Sequence, residues 1–372
     1  MHGARPRAEH KAAIMLQRRY SLADAAISLH LWGTTMDQRV RESLERHLPL
    51  LACPKCGADL ALGDEELRCS RCREAFGVGD NIPRLFWPNE WDIAKPDVTT
   101  TVRSFYEETP FPNYDDLDDV GSLVEKARSG VFAQLLDHQI PPGARILECG
   151  CGTGQMSNFL AVANRTVFGT DISIPSLVLG ERFKERHDLR TVHFAQMNLF
   201  RPCFKPGTFD LVICNGVLHH TSDPFLGFQT LAKLVRPKGY VLIGLYHKYG
   251  RTVTNIRRRI FALTGTRFAF LDPNLRKRES AISKRRAWFM DQYNHPHESR
   301  HTINEVIGWV SRAGLNYVKS IPKTNGRPFV ESERLFEPES PGNRLQRLAA
   351  ELGMVFSGSR EGGFFIVIAQ TR

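Results

Sequence analysis

Long apolar runs are missing from this sequence, since none approaches the roughly 20 residues needed to cross a bilayer. The basic N-terminus is followed by a short stretch of mixed polarity, Ser21–Gly33, which is a poor match to the apolar core of a secretory signal. No internal repeat or low-complexity tract is present. These absences favour a cytoplasmic protein with no transmembrane segment.

Disulfide-type cysteine usage is also missing, although the chain has eight cysteines. Four form two tight C-x-x-C pairs, and the others lie in strand-like or loop segments: Cys149, Cys151, Cys203 and Cys214. This distribution indicates reduced thiols inside a cell rather than a disulfide framework.

What is present is a chain of 372 residues, 42% of them hydrophobic, which is enough for about two domains with a sizeable core. Residues 1–49 read as a helical extension in which Met36 is a plausible alternative start. We expect the remaining boundaries as follows: a cysteine unit at 50–87, a linker and cap at 88–143, a core at 144–249, a basic insertion at 250–301 and the rest of the core at 302–372.

Two cysteine pairs define the first site, with the spacing C-x-x-C-x12-C-x-x-C: Cys53, Cys56, Cys69 and Cys72. Four thiolates close a tetrahedral structural zinc site and leave no open position for catalysis. A redox C-x-x-C is the alternative, but that motif normally occurs once. The pattern therefore predicts a structural Zn²⁺ in a small zinc ribbon.

From Ala144 onward, short apolar strands alternate with amphipathic helices. Strands are predicted at 145–148, 166–170, 191–197, 209–214, 240–246, 315–321 and 363–370, and helices at 153–163, 175–186, 224–235 and 302–313. Alternation of this kind predicts an α/β fold with a mostly parallel sheet and helices on both faces.

A glycine loop follows the first of these strands, with glycines at alternating positions 150, 152 and 154. Such a loop allows a tight strand-to-helix turn and close approach of a ligand to the backbone. The dinucleotide fingerprint G-x-G-x-x-G is not met, because Gln155 or Ser157 stands where its third glycine is required. Glu148, beside the loop, would repel a pyrophosphate but suits a cationic ligand.

Polar residues follow the next strands at their carboxyl ends. Asp171 ends the second strand, where a carboxylate accepts hydrogen bonds from both hydroxyls of a ribose. Asn198 follows the third strand and is placed to meet an adenine, and Asn215 follows the fourth. A surface aspartate and a solvent-facing turn asparagine are the alternatives for the first two.

The motifs ILECGCGTG, GTDIS, MNLF, FDLVICNGVLHH and LVRPKGYVLIG together resemble those of class I methyltransferases that use S-adenosylmethionine (SAM). The resemblance covers residues 144–247. It implies a Rossmann-like, seven-stranded sheet and SAM as methyl donor. It also implies cofactor contacts at Glu148, Gly150, Asp171, Asn198 and the Asn215 region, although Asn198 stands where Asp is common.

A second resemblance covers Leu50–Leu85, which is similar to the small zinc-ribbon family of methyltransferase activators and to the zinc modules of bacterial rRNA guanine methyltransferases. It implies a protein partner or RNA for this unit. The segment Asp291–Thr302 resembles one found in uncharacterised bacterial members and names no substrate.

Candidate catalytic residues lie after the fourth and fifth strands: His219, His220 and Tyr246. Methyl transfer from a sulfonium depends mainly on positioning, and a general base helps only when the nucleophile carries a proton. Only one of the two histidines is expected to face a substrate. Histidines at 295, 297 and 301 beside Glu298 suggest a metal site, a lid or wall of a substrate pocket, or a purely structural cluster.

The basic insertion holds eleven basic and two acidic residues between positions 251 and 286. It is either a solvated face or a lid whose arginines meet an anionic acceptor. We expect the acceptor to be an anionic small molecule or a lipid, since no N/D-P-P-Y/F motif of nucleic-acid methylation follows the fourth strand. RNA methylation is the alternative, and a non-catalytic SAM-binding interaction protein is the hypothesis from another class.

Overall fold

The computed structural model describes residues 36–91, 96–112, 114, 117, 119–276, 282–325, 327–357 and 363–372. Most of the expected N-terminal extension, residues 1–35, lies outside the described residues. Its last part forms α1 (Gln38–His47), which Asp37 caps by accepting a hydrogen bond from the N–H of Arg39.

The cysteine unit is a small antiparallel sheet with a zinc-ribbon-like fold. Its strands are β1 (Leu60–Leu62), β2 (Glu66–Cys69), β3 (Ala75–Gly79) and β4 (Ile82–Leu85). We call this unit, residues 50–87, the cysteine ribbon.

Seven further strands form the core sheet, as expected: β5 (Arg145–Cys149), β6 (Thr166–Asp171), β7 (Val192–Met197), β8 (Phe209–Asn215), β9 (Val235–Tyr246), β10 (Asn316–Ile321) and β11 (Phe364–Gln370). Their spatial order is β7-β6-β5-β8-β9-β11-β10, and only β11 runs antiparallel to its neighbours. The central strands are almost continuously buried, which explains why they read as apolar runs.

Helices cover both faces of this sheet. One face carries α2 (Thr99–Glu108), α3 (Val120–Arg128), α4 (Val131–Gln139), α5 (Gln155–Ala161) and α6 (Ile174–Arg186), of which α3 to α6 bury leucine and phenylalanine side chains against it. The other face carries α7 (Pro224–Ala232), α11 (Ile303–Arg312) and α12 (Arg344–Ser357). The alternation predicted from the sequence is therefore confirmed.

Two of the predicted helices are shorter in the structure, which has them at Gln155–Ala161 and Pro224–Ala232. The helix expected from position 153 begins at Gln155, because Gly154 takes a left-handed φ of 74° and cannot join the helix. The helix expected to reach position 235 ends at Ala232, and Val235 instead pairs with Phe209 as the first residue of β9.

The cysteine ribbon is continuous with the core sheet. Strand β4 pairs in parallel with β7, with Arg84 opposite Gln196 and Leu85 opposite Met197. Apolar side chains of the ribbon pack in one cluster with Phe168 and Phe204 of the core. The result is a single sheet of eleven strands within the described residues, with the ribbon covering the β7 edge.

The basic segment, residues 250–301, forms α8 (Thr252–Thr264), a 3₁₀ turn (Gly265–Leu271), α9 (Pro273–Arg276) and α10 (Ile282–Tyr293). It has a small apolar core of its own around Phe261, Leu275 and Tyr293. Two ion pairs hold the ends of this segment together. The buried carboxylate of Glu298 accepts hydrogen bonds from Arg251 and from Arg258, each at 2.7 Å.

Candidate active site

A cavity of about 560 Å³ lies at the carboxyl ends of β5, β6, β7 and β8, where open α/β sheets bind ligands. Helices α2, α3 and α10 close it from above. Its polar wall includes Tyr106, Lys126, Glu148, Asp171, Asn198, Asn215, His220, Tyr246, Asp291 and Gln292. One cavity is thus lined by six of the seven expected cofactor residues, all but Gly154, and by two of the three expected catalytic ones.

The glycine loop forms one rim of the cavity. Gly150, Gly152 and Gly154 all have positive φ, and Gly150 and Gly152 line the cavity directly. A Cβ on Gly152 would lie 2.2 Å from the carbonyl oxygen of Phe111, so no side chain fits there. Gly154 is placed behind the rim, where it leads into α5.

Asp171 stands at the end of β6 and holds the loop in place. Its two carboxylate oxygens accept hydrogen bonds from the backbone N–H groups of Gly152 and Ser173, each at 2.9 Å. Burial raises the pKa of this carboxyl, while the same N–H groups act against the rise. Remaining lone pairs on the carboxylate can accept hydrogen bonds from a ribose.

Glu148 lies at the end of β5 and is 6% exposed. Burial raises its pKa to about 7, although the hydroxyl of Ser157 donates a hydrogen bond to its Oε2. The neighbouring charge of Asp171 adds a smaller upward contribution. A carboxylate held so close to neutrality would be stabilised as an anion by a cationic ligand group beside it.

We expect the affinity for SAM to fall at acidic pH. The ammonium group of SAM is expected to bind the ionised form of Glu148. Because the pKa of this carboxyl is about 7, most Glu148 side chains must release a proton before SAM binds below pH 7. Binding at pH 6 is therefore expected to be about tenfold weaker than at pH 8. Calorimetry in buffers of different ionisation enthalpy measures both the affinity and the proton release.

The matched control is Glu148→Gln, which keeps the shape of the side chain and cannot titrate. This variant should bind SAM weakly at both pH values, with little change between them. A wild-type affinity that stays constant from pH 8 to pH 6 would contradict the role given to Glu148.

The two asparagines differ in what they offer a ligand. The amide of Asn198 is already occupied, since its Nδ2 donates to the carbonyl of Trp87 and to Asn89 Oδ1 and its Oδ1 accepts from the N–H of Phe200. Asn198 thereby holds the chain at Trp87 and Asn89, directly after the last strand of the cysteine ribbon. The Oδ1 of Asn215 is buried without a hydrogen-bond partner among the described residues.

The two histidines after β8 are separated by the fold. His220 lines the cavity, and its Nδ1 lies 2.8 Å from the carbonyl oxygen of His297. His219 does not line the cavity and is fully buried, with its ring centroid 4.0 Å from that of Tyr246. The expectation that only one of them faces a substrate agrees with this placement.

The tautomer of His220 leaves its other ring nitrogen, Nε2, as a hydrogen-bond acceptor on the cavity side. A nitrogen facing a carbonyl oxygen must carry the proton, so Nδ1 is the N–H and Nε2 keeps its lone pair. Burial, together with the neighbouring His295, lowers the pKa of His220 well below its usual value and keeps the ring neutral.

Three residues that carry the far wall of the cavity were not identified from the sequence as site residues: Tyr106, Asp291 and Gln292. The hydroxyl of Tyr106 donates to Asp291 Oδ1 at 3.1 Å, and the amide of Gln292 donates to Asp291 Oδ2 at 2.8 Å. The same amide donates to the hydroxyl of Tyr246 at 2.7 Å. For Asp291 and Gln292, the sequence offered only the resemblance of the segment Asp291–Thr302 to uncharacterised bacterial proteins.

No arginine among the described residues lines the cavity, although arginines were expected to meet an anionic acceptor there. Its charged lining consists of Glu148, Asp171, Asp291 and Lys126, which is mostly acidic. Arg258 instead donates to Glu298 and to the carbonyl of Gln292. The basic segment does contribute to the wall, but through Trp288, Asp291 and Gln292.

The metal hypothesis for the histidines beside Glu298 finds no support. Glu298 is occupied by two arginines, and the Nδ1 of His301 lies 3.0 Å from Glu305. In the part of the chain that the structure describes, the cysteine cluster is the one group able to hold a metal ion.

The geometry of the four ribbon cysteines fits zinc. Their sulfur atoms all lie within 4.8 Å of one another, with Cys53 and Cys72 at 3.7 Å and Cys56 and Cys69 at 3.4 Å. Four sulfurs at 2.3 Å from a tetrahedral ion would be about 3.8 Å apart. Backbone N–H groups of Arg71 and Cys72 also point at the sulfur of Cys69 from 3.4 Å, as a thiolate ligand would require.

The strand order, the glycine loop and the carboxylate at the end of β6 define the fold of a class I SAM-dependent methyltransferase with a zinc-ribbon-like unit in front of it. Comparison with known proteins agrees, because residues 147–243 match the family model described as a methyltransferase domain. No helix among the described residues is long and apolar enough to span a membrane.

Similar proteins share about a third or less of their residues with this chain over the matched regions. An uncharacterised protein of Synechococcus is 31% identical over 55% of this chain and 54% of its own length. The ubiquinone biosynthesis O-methyltransferase of Bordetella pertussis is 26% identical over 49% of this chain and 76% of its own length. Among solved structures, the magnesium protoporphyrin IX methyltransferase of Synechocystis with bound SAM has 16% identity and a TM-score of 0.43, covering 76% of this chain and all of that one. The chain thus spans about half the length of the first of these relatives.

Proposed function

We propose that this protein is a cytoplasmic methyltransferase that transfers the methyl group of SAM to a small-molecule acceptor. The observation that carries the proposal is a cavity lined by Glu148 and Asp171 together with His220, Tyr246 and Asp291. The match to a methyltransferase domain over residues 147–243 supports it.

In the cofactor half, we assign Asp171 to the ribose hydroxyls, Glu148 to the ammonium group, and the rim at Gly150 and Gly152 to the methionine part. Asn215 supplies a further acceptor, while Asn198 acts by holding the adjacent loop. SAM supplies an activated methyl group, so that the residues of this chain need only orient the acceptor and receive its proton.

In the acceptor half, His220 is the candidate general base. Its Nε2 can take the proton from an acceptor hydroxyl or amine as the new bond to carbon forms and the bond from carbon to sulfur breaks. Tyr246 and Asp291, linked through Gln292, can hold the acceptor by hydrogen bonds. His219 supports Tyr246 from below rather than touching the acceptor.

These contacts favour a hydroxyl or amine acceptor over an anionic one, because the described residues that line the cavity include the Asp291 carboxylate and no arginine. The name of the Bordetella relative, an O-methyltransferase, is in keeping with a hydroxyl. The largely apolar remainder of the cavity leaves room for a lipophilic acceptor, which retains the lipid part of the sequence-based expectation.

The test is transfer of radiolabelled methyl from SAM to a fractionated cell extract that contains metabolites, lipids and RNA. Label should appear in a small-molecule fraction with the wild-type protein. Label in RNA alone would replace the proposal with the nucleic-acid alternative, and binding of SAM without any transfer would favour the non-catalytic interaction protein.

We expect His220→Ala to lower kcat by about 100-fold or more, because the proton acceptor is lost, with SAM affinity unchanged. His220→Asn should be equally slow, since it keeps a donor toward the His297 carbonyl but has no basic nitrogen. Single-turnover rates and SAM calorimetry on the same samples measure the two effects separately.

The matched control for this prediction is His138→Ala, which removes an exposed histidine of α4. It should leave both the rate and SAM affinity as in the wild type. Full activity in His220→Asn would show that positioning alone is sufficient and that His220 is not a base.

A further inference from the structure

The outer face of the basic segment is unusually apolar. Six of the twelve large apolar side chains that are exposed among the described residues lie on it, and we call this set, with the arginines below, the outer face: Ile256, Leu263, Phe268, Phe270, Leu271 and Ile282. Leu263 is 88% exposed and Phe270 is 59% exposed. Side chains of this size are rarely left in water as a group without a binding role.

The same face is positively charged. Its exposed arginines are Arg259, Arg267, Arg276 and Arg286. Three acidic residues lie in the described parts of residues 250–301, namely Asp272, Asp291 and Glu298, and the side chains of all three are buried. No exposed carboxylate among these described residues therefore offsets the positive charge. Among the described residues of the segment, exposed apolar side chains and arginines therefore occur together without an exposed acidic side chain.

We propose that the outer face docks on an anionic phospholipid membrane. Phenylalanine, leucine and isoleucine side chains can enter the boundary between headgroups and acyl chains, while arginines meet lipid phosphates. The rings of Phe268 and Phe270 lie next to each other in the apolar part, with centroids 5.8 Å apart. This mode of attachment needs no membrane-spanning helix.

The inner side of the same segment reaches the cavity. Trp288, Asp291 and Gln292 of α10 line the acceptor half, and α8 is held to α10 through Arg258 and the carbonyl of Gln292. If the proposed function holds, a lipophilic acceptor dissolved in the membrane would meet the enzyme at the element that borders its acceptor site.

The composition of the outer face favours lipid over RNA. RNA phosphates would account for the arginines, and aromatic rings can stack on bases. The aliphatic side chains Ile256, Leu263 and Ile282 gain nothing from either contact, whereas burial in the membrane boundary removes their apolar surface from water.

Cosedimentation of the full chain with vesicles tests the proposal. The wild type should bind phosphatidylcholine vesicles containing phosphatidylglycerol at least about tenfold more tightly than pure phosphatidylcholine vesicles. The double variants Phe268→Ser/Phe270→Ser and Arg259→Glu/Arg267→Glu should each weaken binding to the anionic vesicles by about tenfold or more.

The matched control is Leu345→Ser/Leu348→Ser, because these leucines of α12 are 77% and 48% exposed but lie outside the outer face. Its binding should equal that of the wild type. An equal loss in the control would overturn the proposal, as would a Phe268→Ser/Phe270→Ser variant that binds normally while the arginine variant loses binding and short RNA competes with the vesicles.

Calorimetry with SAM on every variant separates this proposal from the proposed function. All variants should bind SAM as the wild type does, since the substituted residues lie outside the cavity wall. Vesicle binding in a protein that binds no SAM would leave the membrane surface standing and overturn the methyltransferase assignment.

Discussion

Asp171→Ala is expected to weaken SAM binding by about 1,000-fold, from a micromolar affinity in the wild type to essentially none. Two hydrogen bonds from ribose hydroxyls to a charged carboxylate are worth about 2 kcal/mol each, which together correspond to that factor. The same substitution also frees the N–H of Gly152, so the glycine loop loses the contact that fixes it. Calorimetry with SAM and S-adenosylhomocysteine measures the change.

Asp188→Ala provides the control, because Asp188 is a half-exposed carboxylate whose partners are surface arginines. It should bind SAM as tightly as the wild type. Thermal unfolding of both variants distinguishes a lost contact from a lost fold. An Asp171→Ala protein that folds and keeps its affinity would remove Asp171 from the cofactor site.

Each chain is expected to hold one tightly bound zinc ion, which Cys69→Ser should remove together with the folded state of the cysteine ribbon. Structural zinc sites contribute about 10 kcal/mol of apparent binding free energy, which is comparable with the whole stability of a domain. Metal analysis of the purified protein gives the stoichiometry. The unfolding temperature should fall markedly in the variant and in wild-type protein treated with a chelator.

Ser70→Ala is the matched control, since Ser70 lies exposed in the same C-x-x-C turn and contributes no sulfur ligand. It should retain one zinc and the wild-type unfolding temperature. If the native wild-type protein contained no zinc and its four ribbon cysteines reacted freely with an alkylating reagent, the site would not be a zinc site.

The core sheet could be predicted from the sequence because its signals are local. Buried parallel strands such as β5 and β8 appear as continuous apolar runs, and the glycine loop and Asp171 follow strand ends at fixed distances. The two C-x-x-C turns could also be predicted, because each is defined by four consecutive residues. Helix ends were less certain, because Gly154 belongs equally well to a turn or to a first helical turn until its φ is known.

The acceptor half could not be predicted because its contacts join distant parts of the chain. Tyr106 and Asp291 are 185 positions apart, and nothing near either residue indicates the hydrogen bond between them. The hydrogen bonds of Arg258 could not be predicted for the same reason. A basic run appears as a free surface until Glu298, forty positions away, is found buried against it.

The pairing of β4 with β7 has a consequence for how the protein behaves outside its folded state. In the core sheet alone, β7 would be an outer strand with a free row of N–H and C=O groups, and its residues Val192–Met197 are mostly buried and apolar. Strand β4 of the cysteine ribbon pairs with these groups, and the sheet then ends on that side at the three-residue strand β1. On the opposite side, the edge strand β10 is interrupted by a bulge between Tyr317 and Lys319. Short and bulged outer strands discourage association between molecules, whereas a long bare strand is a template for it. Unfolding of the cysteine ribbon would thus expose the edge of β7, and the protein would be expected to self-associate through that edge.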